Sequence, residues 1–184
     1  MQHQMETELK PKIQLIPLAP EGIGLYCKLG EQAYRDHYLH LWPDRDPSPY
    51  IDTSFTREIV TQELGDPNNL HFLIRAGKEY IGIAKVIKNQ KPPELELPKP
   101  LFLEKIYLLG AFTGQGFGED TLLSLHELAR EMGRQSVHLL TMRKGRALAF
   151  YHRMGYKVLR EAHLPFENAV QEERGMYLLG KIFN

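Results

Sequence analysis

The chain has 184 residues, with 23 basic and 23 acidic side chains and one cysteine, Cys27. That length suits a single domain with a sizeable core, and a net charge of zero argues against a broad nucleic-acid-binding surface. A lone cysteine excludes an internal disulfide framework and agrees with a reducing compartment. The first twelve residues, MQHQMETELKPK, are polar, lack the apolar centre of a signal peptide and read as an extension. No apolar run approaches the ~20 residues that span a bilayer. The expectation is one soluble, cytoplasmic domain over residues 1–184 with no membrane partner.

Ile13 to Leu18 reads as a short first strand, closed by Pro17 and Pro20. A helix is expected from about Glu21 to His40, with Leu25, Leu29, Ala33 and Tyr34 on one side. Trp42 to Tyr50, WPDRDPSPY, reads as a loop by its prolines and aspartates. A second helix runs from about Phe55 to Leu64 and is stopped by Gly65, Asp66, Pro67 and Asn68. Leu70–Ile74 and Tyr80–Val86 flank a turn at Ala76 to Glu79 and predict a hairpin. Asn89 to Pro100 is proline-rich and extended. Leu101 to Leu109 is the fourth strand, and a helix follows to about Met132, with Gly133 at its C-terminus. Ser136–Met142 is strand five, Arg146–Met154 a short helix, Tyr156–Arg160 strand six, and Met176–Phe183 a final strand apolar enough to pair across a homodimer. Paired strands followed by strand–helix–strand units predict an α/β fold with helices packed on a mixed sheet.

The most informative stretch is LFLEKIYLLGAFTGQGFGEDTLL, Leu101 to Leu123. Gly114, Gly116 and Gly118 alternate with Gln115 and Phe117, so the backbone there is free to approach a ligand closely. The apolar spacing of Leu122, Leu125, Leu128 and Ala129 then marks one face of a helix. Unpaired N–H groups at that helix start, with the positive end of its dipole, suit a pyrophosphate. A dinucleotide-binding turn needs Gly-x-Gly-x-x-Gly, and the last position falls on Glu119 or Thr121 in the two available registers. A Walker loop needs Gly-Lys followed by Ser or Thr, which does not occur. A glycine turn that merely joins strand to helix is the bland reading.

The second informative stretch is RALAFYHRMGYKVL, Arg146 to Leu159. Ala147 and Tyr151 are four apart and share a helix face, with Phe150 and Met154 as a neighbouring apolar pair. Taken together, the two stretches resemble the GNAT superfamily of N-acetyltransferases. Its first pattern, Arg or Gln, two residues, Gly, one residue, Gly or Ala, is met by Gly116 and Gly118, with Thr113 in place of Arg or Gln. Its second, Asn, two residues, Ala, three residues, Tyr, then Gly-aromatic, is met by Ala147, Tyr151, Gly155 and Tyr156, with Lys144 in place of Asn. A weaker resemblance, in the order of its elements, points to the branch that includes polyamine acetyltransferases.

The resemblance implies a mixed, mostly antiparallel sheet of six to seven strands flanked by about four helices. It implies acetyl-CoA as cosubstrate. Amides of Gln115, Gly116, Phe117, Gly118 and Glu119 would hold the pyrophosphate, with Thr113, Gly114, Lys144 and Ala147 lining that end. Tyr107 and Leu108 would pair with the pantetheine arm through their backbone, in a cleft between strands four and five. The Leu108 N–H would stabilise the oxyanion formed when an amine attacks the thioester. Tyr151, protonated at neutral pH, would be the general acid for the departing thiolate.

Glu104 is the best-placed carboxylate for a base, with a structural partnership with Lys105 as its alternative reading. Cys27 lacks an activating arrangement for a covalent carrier, so direct transfer in a ternary complex is expected. His37 and His40 lack a third ligand of suitable type, and no metal site is expected. His126, His138 and His152 read as exposed or partly buried. Asp44, Asp46, Glu167, Glu172 and Glu173 lie in segments able to flank an acceptor end and would favour a cationic amine; a peptide N-terminus is the other acceptor in view. The competing class is a non-catalytic acyl-CoA-binding module, to which the departures at Thr113 and Lys144 point.

Overall fold

The computed structural model describes residues 10–183; the first nine positions of the expected polar extension lie outside them. Among the described residues seven strands form one sheet in the order β1-β2-β3-β4-β5-β7-β6. They are β1 (Ile13–Pro17), β2 (Asn69–Ala76), β3 (Glu79–Ile87), β4 (Pro100–Leu108), β5 (Ser136–Met142), β6 (Lys157–His163) and β7 (Gly175–Ile182). Five α-helices among the same residues flank them: α1 (Ile23–Tyr38), α2 (Ser48–Ser54), α3 (Arg57–Leu64), α4 (Phe117–Glu131) and α5 (Arg146–Arg153).

Alternation along the strands sends side chains to opposite faces, and helices cover both. Ile74, Leu101, Leu103, Val137, Leu139 and Leu179 point toward α4, where they bury Leu122 and Leu125. Leu73 and Ile83 point the other way, toward Ile23, Tyr26, Leu29 and Tyr34 of α1 and Val60 of α3. Thr56 starts α3 by accepting the Ile59 N–H on its hydroxyl, 3.2 Å away, which satisfies one unpaired donor of the first turn.

Three expectations need correction. The segment Trp42 to Tyr50 is not all loop, because α2 begins at Ser48. Proline suits a first helical turn, and Ile51 and Ser54 anchor that turn by burial. The final strand is not an edge. β7 pairs with β5 from Ser136↔Ile182 to Met142↔Met176 and with β6 on its other side, so neither of its edges is left for a second copy. His126 and His138 are not exposed: each is 1% accessible.

The sheet is antiparallel except at β4–β5, and that exception positions the site. Parallel pairing covers only Pro100↔Ser136, Leu101↔Val137 and Phe102↔His138. Beyond Phe102 the two strands part, and β4 runs on for six residues with one edge unpaired by β5.

Candidate active site

The free edge of β4 forms one wall of a notch. Leu109 N–H bonds the Ile81 carbonyl of β3 at 2.9 Å, and Ile83 faces Tyr107 in register. Antiparallel pairs alternate between bonded and non-bonded, so Tyr107 spends its backbone groups on β3. Ile106 and Leu108 turn theirs toward the notch. This corrects the expectation for Tyr107: Ile106, which the motif reading missed, shares the exposed edge with Leu108. The Leu108 carbonyl accepts a hydrogen bond from His37 Nε2 of α1 at 2.9 Å, since a carbonyl can only accept. Gly110 N–H donates to Asp36 Oδ2 at 2.7 Å. The last turns of α1 are thus fastened to the end of β4, one side chain from the notch.

The glycine turn follows directly. Gly114 and Gly116 have φ of +74° and +82°, a left-handed backbone that an L side chain rarely adopts. Gly116 is the N-cap of α4, and the first helical bond runs from Asp120 N–H to the Gly116 carbonyl at 3.1 Å. The N–H groups of Phe117, Gly118 and Glu119 therefore have no helical partner. Gly118 packs between Leu108 and Phe150: a Cβ added there would lie 3.8 Å and 3.9 Å from their side chains. The turn, the end of β4 and α5 meet at this point.

The polar side chains of the turn fold back on the chain. Thr113 donates its hydroxyl to the Gly110 carbonyl at 2.8 Å, and Gln115 its amide to the Ala111 carbonyl at 2.7 Å. The cation at the turn comes instead from before β1. Lys10 Nζ pairs with Asp120 Oδ2 at 2.6 Å, lies 5.5 Å from the Phe117 ring centroid, and sits 2.8 Å from where a Gly116 Cβ would be. Sequence reasoning missed Lys10 because 106 positions separate it from Gly116.

On the far side of the notch, α5 carries the expected tyrosine. Ala147 and Tyr151 are both half-buried and lie one turn apart. The Tyr151 ring packs edge-on against Phe150 and Tyr156, at centroid distances of 5.1 and 5.5 Å. His126 Nε2 lies 2.8 Å from the Tyr156 hydroxyl and backs that ring. Burial pushes the Tyr151 phenol well above the usual tyrosine range, with the Tyr38 phenol of α1 adding to the effect. The Tyr151 hydroxyl is therefore protonated throughout the neutral range.

The face under α1 and α2 is aromatic. Tyr34 stacks on Tyr50 at 4.1 Å, the Tyr50 and Tyr107 hydroxyls are 2.7 Å apart, and Trp42 Nε1 donates to the Tyr34 hydroxyl at 3.0 Å. Phe166, from the segment between β6 and β7, closes this nest edge-on against Trp42 and Tyr50. Glu104 lies at the start of the free edge of β4. Its carboxylate pairs with Lys85 Nζ at 2.5 Å and Lys105 Nζ at 3.2 Å, so the partnership with Lys105 is present and Lys85 is a second partner.

Some expected residues are engaged elsewhere. Lys144 is exposed and pairs with Glu173 at 2.8 Å, at the mouth of a small pocket lined by Arg143, His163 and Gln171. Asp46 accepts two hydrogen bonds from Ser48, and Lys144 offsets the charge of Glu173, so two of the expected acidic side chains are engaged in place. The Cys27 thiol is half-buried and burial raises its pKa, which disfavours a thiolate. Among the described residues no group of three or more His, Cys, Asp or Glu side chains is arranged to hold a metal ion, and no helix is long and apolar enough to cross a membrane.

This geometry agrees with what comparison with known proteins returns. Residues 31–156 match the model of the acetyltransferase (GNAT) family, and the chain belongs to that family. Its class is that of the acetyltransferases. Comparison with the curated proteins by sequence gives no match. Among solved structures, the PaiA N-acetyltransferase of Thermoplasma acidophilum, in complex with coenzyme A, is similar with a TM-score of 0.71 and 15% identity, over 94% of this chain and 99% of that one. An acetyltransferase of Bacillus subtilis in complex with CoA gives 0.61 and 19%, over 95% and 100%. The spermidine N-acetyltransferase SpeG of Vibrio cholerae, in a mutant form, gives 0.67 and 13%, over 93% and 94%. At these identities the likeness is one of fold.

Proposed function

We propose that the chain moves the acetyl group of acetyl-CoA to a primary amine by direct attack in a ternary complex. The observation that carries this reading is the convergence of three elements on the β4–β5 notch: an unpaired strand edge, a helix start with three unpaired N–H groups, and a protonated tyrosine opposite. Each suits one part of the cosubstrate. The diphosphate fits the amides of the turn, where Lys10 adds a positive charge. The extended pantetheine amides fit the backbone groups of Ile106 and Leu108, as an added strand would. That pairing leaves the thioester level with Tyr151. The two neighbours solved with coenzyme A share the fold that builds this notch.

The chemistry follows from these positions. The amine nitrogen bonds to the thioester carbon, and the carbonyl electrons move to an oxyanion facing the Ile106 and Leu108 N–H groups. Such a donor is typically worth about 3–4 kcal/mol. The C–S bond then breaks and the carbonyl re-forms. Tyr151 is a weaker acid than a thiol, whose reference pKa is about 8.5, so it first donates a hydrogen bond to the leaving sulfur. The proton that finally rests on the thiol comes from the amine, with Glu104, a carboxylate carried by the free stretch of β4, to relay it. The acceptor is a small amine, a polyamine or a peptide N-terminus.

Thiol release from acetyl-CoA with a panel of amines tests the reading. Parent protein turns over at least one of them, and Tyr151→Phe lowers kcat by about a hundredfold. Clear acetyl-CoA binding with no release for any amine would identify a non-catalytic acyl-CoA-binding module instead. A Phe variant as active as the parent would remove Tyr151 from the mechanism.

A further inference from the structure

Five ionisable side chains lie together under α1 and α3, and the mechanism above uses only one. His71, Lys85 and Lys105 stand opposite one another on β2, β3 and β4 in a single cross-strand row. Their accessibilities are 3%, 3% and 6%. Two lysines directly opposite on neighbouring strands repel, and burial sharpens the repulsion. The row persists because two carboxylates reach it. Glu63 of α3 pairs with His71 Nε2 at 2.8 Å and with Lys85 Nζ at 2.7 Å. Glu104 takes Lys85 on its other side and Lys105 as well.

A bulge makes the second contact. Val86 faces Leu103 and Lys85 faces Lys105, so Glu104 is the extra residue between two register pairs. Successive strand residues normally point to opposite faces, and the bulge instead brings Glu104 to the same face as Lys105. The other titratable groups facing the cluster are Tyr26 of α1 and Tyr50 of α2. Desolvation raises the Glu63 carboxyl, but the hydrogen bonds it accepts from His71 and Lys85 outweigh this and leave its pKa lowered to about 2, so it is a fixed negative charge.

Glu104 is the member next to the notch. It lies past the last β4–β5 pair and two residues before Ile106. Its side chain is 28% exposed, against 4% for Lys85 and 6% for Lys105. Packing alone does not require such a cluster, since buried ion pairs are commonly replaced by apolar residues at no loss of stability. Lys85 is held between two carboxylates and cannot follow Glu104 if it turns away.

We infer that Lys85 is a positioning residue: bridged to Glu63, it clamps the Glu104 carboxylate in the orientation from which it serves the acceptor amine at the notch. The inference rests on the proposed acetyl transfer. Lys85 touches no substrate and acts through Glu104 alone.

Lys85→Met leaves Glu63 with His71 alone and Glu104 with Lys105 alone and removes one positive charge from the cluster, so it is compared with the charge-balanced pair Lys85→Met/Glu63→Gln and with Lys85→Arg, which keeps the cation. Each is assayed for melting temperature, acetyl-CoA affinity and steady-state transfer to an amine the parent accepts. The expected result for the balanced pair is a folded protein with the parent's acetyl-CoA affinity and a kcat lower by about tenfold or more. Lys85→Arg recovers most of that loss. A balanced pair that is folded and has the parent's kcat overturns the inference while leaving acetyl transfer standing, as does a loss of kcat that tracks melting temperature and is not relieved by arginine. Absence of turnover in the parent with every amine removes the acetyl-transfer reading and this inference with it.

Discussion

Gly82→Ala is a test of how closely β3 must hold the end of β4. Gly82 faces Leu108 in register, and a Cβ there would lie 2.2 Å from the Tyr107 carbonyl oxygen and 3.0 Å from Leu108 Cα. Ordinary contact begins at 3.4 Å, and both obstacles are backbone, so no side-chain rotation relieves the overlap. β4 has to retreat by about 1 Å, and a misplacement of that size at a reacting centre costs on the order of a hundredfold in rate. The overpacking itself costs about 1–3 kcal/mol of stability. The Ile106 and Leu108 edge moves with the strand, so both acetyl-CoA affinity and kcat are expected to fall. Calorimetric titration with acetyl-CoA and stopped-time transfer assays, run well below the variant's melting temperature, read the two effects separately. A folded Gly82→Ala protein with the parent's affinity and kcat would refute the assignment of that edge to the cosubstrate.

Lys10→Met is expected to raise KM for acetyl-CoA by about tenfold with little change in kcat, because it removes uniform binding; a truncated cosubstrate lacking the diphosphate would show no such difference. Unchanged KM for acetyl-CoA would show that Lys10 only balances Asp120. Folding stability should fall in mild acid. Burial lowers both His126 and His138 from 6.5 to about 4, with Lys181 and Arg130 contributing at His126. Unfolded imidazoles take up protons below about 6.5 while the folded ones stay neutral until about 4, so stability is complete above that window and is lost as pH falls through it. Each histidine contributes at most ~3.4 kcal/mol, and about 2 kcal/mol after allowance for solvent screening. Melting temperature against pH checks this, and His138→Leu should remove part of the slope; a flat profile between 6.5 and about 4 would contradict it.

Most elements were legible because their signals are local. The hairpin of β2 and β3, the span of β5 and the turn before α4 follow from apolar periodicity and glycine placement. Gly30 is an instructive exception: glycine weakens a helix in isolation, yet a Cβ there would come within 2.3 Å of the Phe55 ring, so the residue makes room for packing against the segment before α3. The β7 position was not legible, since an apolar strand looks alike at an edge and between two neighbours. Within the proposed site, the sequence motifs pointed to the turn and Tyr151, whereas Ile106, Lys10 and the inferred role of Lys85 come from the structure alone. Strand alternation beside a splayed partner, a bulge and a contact across 106 positions leave no local trace in composition or spacing.

Acetyl transfer by this protein requires that the β4–β5 notch receive the cosubstrate. A crystal structure of the protein with coenzyme A tests it most directly. The diphosphate is expected against the N–H groups of Phe117 to Glu119, the pantetheine arm along Ile106 and Leu108, and the sulfur facing the Tyr151 hydroxyl. Coenzyme A bound outside the notch, or no binding by titration in the same buffer, would contradict it.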